Sequence, residues 1–262
     1  MPLITIITST LNAGTFIGKL GGSLAEQKFR DFEWLVVDGG SVDDTLDIIK
    51  NLNLAKLIVS EPDRGIYDAW NKALPHIKGE WVIFLGADDY LIDEFAFSDI
   101  NSFLQSLSKD IQLAYCRVTD GETSFGRFLD PLEKEMSHGM AICHQALFHH
   151  RSIFDKFGFF DASYKIAGDY ELVLRCIRGH AGVLYFPRIV TFMGQGGISS
   201  RIENGFYSAV EALKARCKNQ YQCINFPWLK HFFKGITIVV LWKILPKSTF
   251  NVLKNIWAKL KA

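Results

Sequence analysis

Two adjacent carboxylates, Asp88 and Asp89, close the apolar run Trp81-Val82-Ile83-Phe84-Leu85-Gly86-Ala87. Such a run reads as a buried parallel strand, and its end opens on the face where open α/β sheets bind ligands. Like charges this close raise each other's pKa and call for a cation, and hard oxygen donors suit Mg2+ or Mn2+. A divalent ion there implies an anionic ligand. The pair equally suits a turn capping a helix that starts near Asp93, because Asp is a common turn and N-cap residue.

Related chemistry falls where other apolar runs end. Thr8, Thr10 and Asn12 close the first run, and their hydroxyls and amide suit a base or ribose edge as well as a helix cap. Asp38 closes the second, ahead of Gly39, Gly40, Ser41, Val42, Asp43 and Asp44. An acceptor-only carboxylate there can take the N3–H of a uracil or a ribose hydroxyl, or, with Ser41, cap a glycine turn. The third leads into Glu61-Pro62-Asp63-Arg64-Gly65-Ile66-Tyr67-Asp68-Ala69-Trp70-Asn71-Lys72. Arg64 and Lys72 suit phosphates or acidic neighbours, while Asp63 and Asp68 suit the first turn of a helix. The glycines after Asp38 do not follow G-x-G-x-x-G, and no G-x-x-x-x-G-K-[ST] occurs, so dinucleotide and P-loop readings lose support.

A sheet is needed to gather these residues. Apolar runs at 3–8, 34–38, 56–60 and 81–85 alternate with helical patterns at 16–27, 44–52 and 66–76. That alternation predicts an α/β fold with a mostly parallel central sheet flanked by helices. Further strands are predicted at 111–117, 124–129, 146–149 and 182–186, and helices at 153–157, 169–178 and 200–218. Residues 193–200, with Gly194, Gly196 and Gly197, read as a mobile lid whose amides suit a diphosphate, joined to a helix opened by a Ser200/Glu203 capping box.

The chain has 262 residues, 48% apolar and 22% charged, enough for one large domain with an appendage. Its five cysteines include no C-x-x-C pair and read as reduced thiols. The N-terminus has no basic stretch ahead of its apolar residues, so it does not read as a secretory signal, and a cytoplasmic location is expected. The net charge of +1 conceals a split: the last acidic residue is Glu211, and residues 1–211 carry 19 basic and 28 acidic side chains. We therefore expect a domain at 1–220 and a basic, amphipathic helical tail at 221–262. Its interleaved aromatic residues and lysines favour an anionic membrane surface over nucleic acid. The apolar stretch at 235–242 is far shorter than the roughly 20 residues of a spanning helix, so the tail should lie on the bilayer or pack on the core.

The ordered segments at 8–12, 38–43, 61–69 and Gly86-Ala87-Asp88-Asp89 resemble the family-2 glycosyltransferases of GT-A fold, over roughly residues 1–200. The resemblance implies that Thr8 and Asp38 hold the nucleotide base, and that Asp63, Arg64, Gly65 and Asp68 line the base and ribose pocket. Thr10, Asn12 and Ser41 join this donor side. Asp88 would touch the ribose and share with Asp89 a Mn2+ or Mg2+ ion bridging the donor diphosphate. The motif reads Ala-Asp-Asp where Asp-x-Asp is the commoner form. Ile166-Ala167-Gly168-Asp169-Tyr170-Glu171 resembles the family's acidic helix start, with Gly168 standing where members usually carry Glu. Asp169 is thereby expected as general base, a role compatible with helix capping. His144 and Gln145 are expected on the acceptor side.

The activity so implied is inverting transfer of a single sugar from a nucleotide-diphosphate donor, UDP-linked for preference, to a hydroxyl of a growing glycan. No Q-x-x-R-W occurs, a mark of processive synthases in the family. The tail would suit a polyprenyl-diphosphate-linked acceptor at the inner face of the cell membrane, as in bacterial surface polysaccharide and O-antigen assembly. A nucleotidyltransferase acting on a sugar phosphate and a non-catalytic nucleotide-sugar or glycan-binding protein are the rival readings.

Overall fold

A computed structural model describes residues 3–194, 196–197 and 204–223, together with the helical residues 229, 233, 237 and 240. In chain order the elements are β1 (Ile4–Thr10), α1 (Gly14–Ala25), β2 (Phe32–Asp38), α2 (Thr45–Leu52), β3 (Ala55–Ser60), α3 (Ile66–Ala73), β4 (Trp81–Phe84), β5 (Tyr90–Leu91) and α4 (Ala96–Gln105). They continue with β6 (Ile111–Thr119), β7 (Ser124–Phe125), α5 (Leu132–His138), β8 (Leu147–His150), α6 (Ser152–Phe157), α7 (Gly168–Arg178), β9 (Gly182–Phe192) and α8 (Gly205–Lys218).

The strands form one sheet in the order β3-β2-β1-β4-β8-β6-β9-β5, with β7 beside β6. The first four are parallel to one another; beyond β4 the sheet is mixed, with β8 antiparallel to both neighbours and β9 parallel to β6. The chain winds outward from β1 to β3, then returns to place β4 on the other side of β1. That reversal makes the carboxyl ends of β1 and β4 a topological switch point, the place where such sheets bind ligands between diverging loops.

Both faces are covered, which is why the strands read as unbroken apolar runs. Ile4, Ile6, Trp34, Val36 and Ile83 pack against Ile17 and Leu20 of α1, Ile49 of α2 and Phe97 and Ile100 of α4. Ile7, Leu35, Val37, Val82 and Phe84 pack against Tyr67 and Trp70 of α3, Met136 of α5 and Leu172 and Leu174 of α7. The helix α8 joins the second layer through Ala215 and through Lys218, whose ammonium lies 3.0 Å from the wholly buried Glu171 of α7.

Several expectations change. The strand predicted at 182–186 continues to Phe192, β7 ends at Phe125, and α5 and β5 were not foreseen. Cys217 and Cys223, expected as free thiols, are joined by a disulfide, whereas Cys116, Cys143 and Cys176 are free. Ser200, Glu203 and most of the basic tail lie outside the described residues. Among the described residues no helix is long and apolar enough to cross a membrane.

Candidate functional site

At the tips of β1 and β2, two loops are stitched together. Asn12, in the left-handed region at φ 50°, accepts the N–H of Val42 on Oδ1 (3.0 Å), and its own N–H donates to Ser41 Oγ (2.8 Å). Asp38 is fully enclosed between them. Its carboxylate accepts from Thr10 Oγ1 (2.9 Å), the N–H groups of Gly40 and Ser41, and the hydroxyls of Ser41 and Ser60 (2.7 Å). Burial alone would raise its pKa; the donors, led by Ser41 and Ser60, outweigh burial and hold it below the ordinary carboxylate value. Thr8 is likewise buried, its hydroxyl accepting from Trp34 Nε1 at 3.0 Å. In this conformation Asp38 and Thr8 brace the floor of the crevice and present no surface to it.

The open carboxylate of this corner is Asp63, after β3. Gly39 makes room for it, since a Cβ at residue 39 would lie 2.7 Å from Asp63 Oδ2. Asp63 Oδ1 accepts the N–H of Gly65 (2.8 Å), whose φ of 125° only glycine adopts readily. This turn opens α3. Arg64 is exposed and pairs with Asp68 (2.7 Å), and that guanidinium holds Asp68 below its ordinary pKa. Lys72 lies 2.8 Å from Glu61.

At the tip of β4, Asp89 is almost completely buried and accepts the N–H groups of Gly86 (2.7 Å) and Gly194 (2.9 Å). The neighbouring Asp88 is half-buried and accepts the N–H of Gly196 (3.0 Å). A Cβ on Gly194 would fall 2.2 Å from Asp88 Oδ2, so the glycine segment after β9 can approach the dyad only without side chains. Burial, and secondarily the Asp88 charge, push the Asp89 carboxyl up to about 7. Neither aspartate forms an ion pair among the described residues, so the dyad is an uncompensated pair of hard oxygen donors. That donor chemistry fits a divalent cation.

Asp169 stands on the first turn of α7, half-buried, and accepts from its neighbour's N–H (Tyr170, 2.8 Å) and from Tyr67 Oη (3.1 Å), both on Oδ1. Burial raises its pKa to about 6 against the lowering effect of those two bonds. A carboxylate poised there can take a proton near neutral pH. The sequence gives no role to Tyr67 or Glu211, which contact this segment across more than forty residues, nor to Ser60 beneath Asp38. Glu211 and Ser60 are ordinary in local pattern; Tyr67 stands inside the segment 61–69 that resembles the family, and that membership is the one signal that could have found it.

The acceptor-side expectation fares differently. His144 is 7% exposed and packs with Trp70 (5.1 Å) and Phe84 (5.4 Å) in a three-ring cluster, so its ring belongs to the core beneath the strand tips. Gln145 is half-buried, and its carbonyl accepts from Thr191 Oγ1 (2.8 Å).

Residues 5–155 match the family model described as "Glycosyl transferase family 2". A "PGL/p-HBAD biosynthesis glycosyltransferase" of Mycobacterium bovis is 34% identical over 211 residues, covering 77% of this chain and 80% of that protein. Among solved structures, the S. aureus TarS fragment 1–349 in complex with UDP-GlcNAc is similar at TM-score 0.65 and 20% identity, over 81% of this chain and 66% of that one. This chain spans 39% of the longer TarS chain. A mannosyltransferase from Pyrobaculum calidifontis in complex with GDP-Man and Mn2+ is similar at TM-score 0.67 and 16% identity, over 99% and 80% of the two chains. These structural likenesses are of fold. The family match and the curated relative mean that the chain belongs to the family-2 glycosyltransferases.

Proposed function

We propose that this glycosyltransferase moves one sugar, with inversion, from a UDP-linked donor to a hydroxyl of a growing, lipid-linked glycan, using Mn2+ or Mg2+. The observation that carries the reading is the pairing, at one end of the sheet, of an uncompensated acidic dyad with a separate carboxylate whose pKa is raised to about 6. The first suits a diphosphate held through a cation, the second a base.

The base and ribose would lie against Asp63, Gly65, Asp68 and the Asn12 and Ser41 loops, with Arg64 at the rim and Thr8, Thr10 and Asp38 bracing them from beneath. Asp88 and Asp89 would hold the cation, which when bound neutralises charge on the departing diphosphate. Asp169 Oδ2, which accepts no hydrogen bond among the described residues, would take the acceptor hydroxyl's proton as that oxygen bonds the anomeric carbon. The bond from that carbon to the diphosphate breaks, and its electron pair leaves with the phosphate oxygen. Attack opposite the leaving group inverts the centre.

Asp169→Asn should lower kcat by about 10²–10⁴-fold while leaving UDP-sugar binding intact. Asp89→Ala should abolish stabilisation of the protein by UDP with Mn2+. Undiminished transfer by Asp169→Asn would refute the base assignment. The lipid-linked acceptor rests on the basic, amphipathic tail; equal binding of the full chain to anionic and neutral vesicles would count against it.

A further inference from the structure

Asp169 is gripped from two directions. On one side, Glu211 of α8 accepts three successive backbone N–H groups immediately ahead of α7: Lys165 on Oε1 (2.8 Å), then Ile166 (2.8 Å) and Ala167 (2.9 Å) on Oε2. A carboxylate there satisfies amides that a helix start leaves unpaired and faces the positive end of the α7 dipole. On the other side, Tyr67 of α3 shares its one hydroxyl hydrogen between two acceptors, the Ile166 carbonyl (2.7 Å) and, at longer range, Asp169 Oδ1 (3.1 Å). Its ring fills the space beside Gly168, where a Cβ would come within 2.7 Å of Cε2. Burial holds the Tyr67 hydroxyl well above its ordinary pKa, so it remains a donor.

We propose that Glu211 and Tyr67 are the positioning residues of Asp169: Glu211 fixes the peptide turn that delivers the carboxylate, and Tyr67 ties down Oδ1 so that Oδ2 receives the acceptor proton. This inference rests on the assignment of Asp169 as the base. The groups that set the proton affinity of Asp169 are few. Burial raises it most; Tyr67 faces it from α3 and Glu211 from α8, and on α7 itself the backbone N–H groups of Tyr170 and of Asp169 contribute. The two positioning residues act in opposite senses. The Tyr67 bond favours the ionised carboxylate, and the Glu211 charge disfavours it.

The test is a kcat–pH profile of the full chain with Mn2+ and whichever of UDP-glucose, UDP-GlcNAc or GDP-mannose turns over, in Tyr67→Phe, Glu211→Gln, Glu211→Ala and Asp169→Asn. Tyr67→Phe should move the acidic limb up by at most about 1 pH unit, less than a full hydrogen bond to a charged group because the hydroxyl's one hydrogen is shared with the Ile166 carbonyl. Glu211→Gln, which keeps a carbonyl oxygen for the amides but loses the charge, should move it down. Glu211→Ala should lower kcat at least tenfold with the donor KM unchanged, and Glu211→Gln should recover most of that loss. Circular dichroism identifies a variant that fails to fold, and Glu211→Gln then carries the test alone. Unshifted limbs in both Tyr67→Phe and Glu211→Gln, alongside a disabled Asp169→Asn, would overturn the positioning roles and leave the base standing. A fully active Asp169→Asn would overturn the base itself.

Discussion

Substitution of Gly168 by alanine puts the packing beside Asp169 to a direct test. A Cβ at that position would lie 2.7, 2.8 and 2.9 Å from Cε2, Cδ2 and Cζ of Tyr67, where carbon atoms normally keep about 3.5–4.0 Å. The ring has little room to retreat. It is 3% exposed, stacks on Phe160 at 5.6 Å, meets Trp70 edge-on at 5.4 Å and is bonded at its hydroxyl. Overpacking of this kind costs about 1–3 kcal/mol, against a gain of up to ~1 kcal/mol for replacing glycine in a helix. The net loss of about 1–2 kcal/mol should lower Tm by about 2–8 °C at the slope expected for a chain of this size. Thermal denaturation of Gly168→Ala, Tyr67→Leu and the double variant measures it: the double variant should be more stable than the sum of the two single losses by about 1 kcal/mol or more, because the smaller side chain frees the space. A Gly168→Ala protein as stable as the parent would show that the ring yields, and would undo the argument that Tyr67 is fixed.

Three further outcomes follow from the geometry. Asp38→Asn sets an amide donor against a cage of donors and should cost about 2–3 kcal/mol in urea unfolding. Because the Asp38 pKa is lowered in the fold, the stability it supplies is complete above the unfolded value of 3.8 and disappears as pH falls through the lower folded value, so the penalty of Asp38→Asn should shrink in strong acid. Glu171→Ala removes the buried partner of Arg175 (2.8 Å) and Lys218 (3.0 Å) and should destabilise by about 3 kcal/mol, with loosening of α8 detectable by hydrogen exchange. Gly65→Ala forces a side chain to φ 125° and should cost about 1–3 kcal/mol while weakening UDP binding, measured by calorimetry; unchanged affinity would separate this turn from the donor pocket.

The first half of the fold is legible because β1, β2 and β4 are buried on both faces, and these strands and the edge strand β3 end in polar residues that the sequence displays side by side. Asp88, Asp89, Asp63 and Asp38 could all be placed at strand tips from such runs. The second half is less so. Pro187 and Arg188 interrupt the apolar pattern of β9, yet the strand passes through, with Arg188 paired to Asp93 (2.6 Å) and Asp99 (2.8 Å) on the far layer. The helix α5, Leu-Glu-Lys-Glu-Met-Ser-His, buries only Met136 and so shows no clear apolar period. Sequence could suggest that Asp38 faces a ligand but not that five donors already surround it. Nor could it distinguish His144 in an aromatic stack from His144 in an open groove. The partners of Asp169 were hidden for a simpler reason: Tyr67 is 102 residues away along the chain, and Glu211 meets residues 165–167 only once α8 has packed.

The span of β9 carries an evolutionary consequence. It starts beside Ile111 at Gly182, and one residue past its end at Phe192 the chain donates a backbone bond from Met193 to Thr119 before Gly194 reaches Asp89. The earlier part of β9 carries register shifts against β6, but from Thr191 and Phe192, paired with Val118 and Thr119, onward the register is regular, and there one inserted or deleted residue turns every later side chain to the opposite face. Such a change would also carry Gly194 and Gly196 off the two aspartates and bring a side chain against them. Homologues should therefore tolerate gains and losses of sequence at the amino ends of the strands and at the bulges of β9, while the count of residues from 191 to 196 stays constant, conserved as a length even where the residues themselves drift.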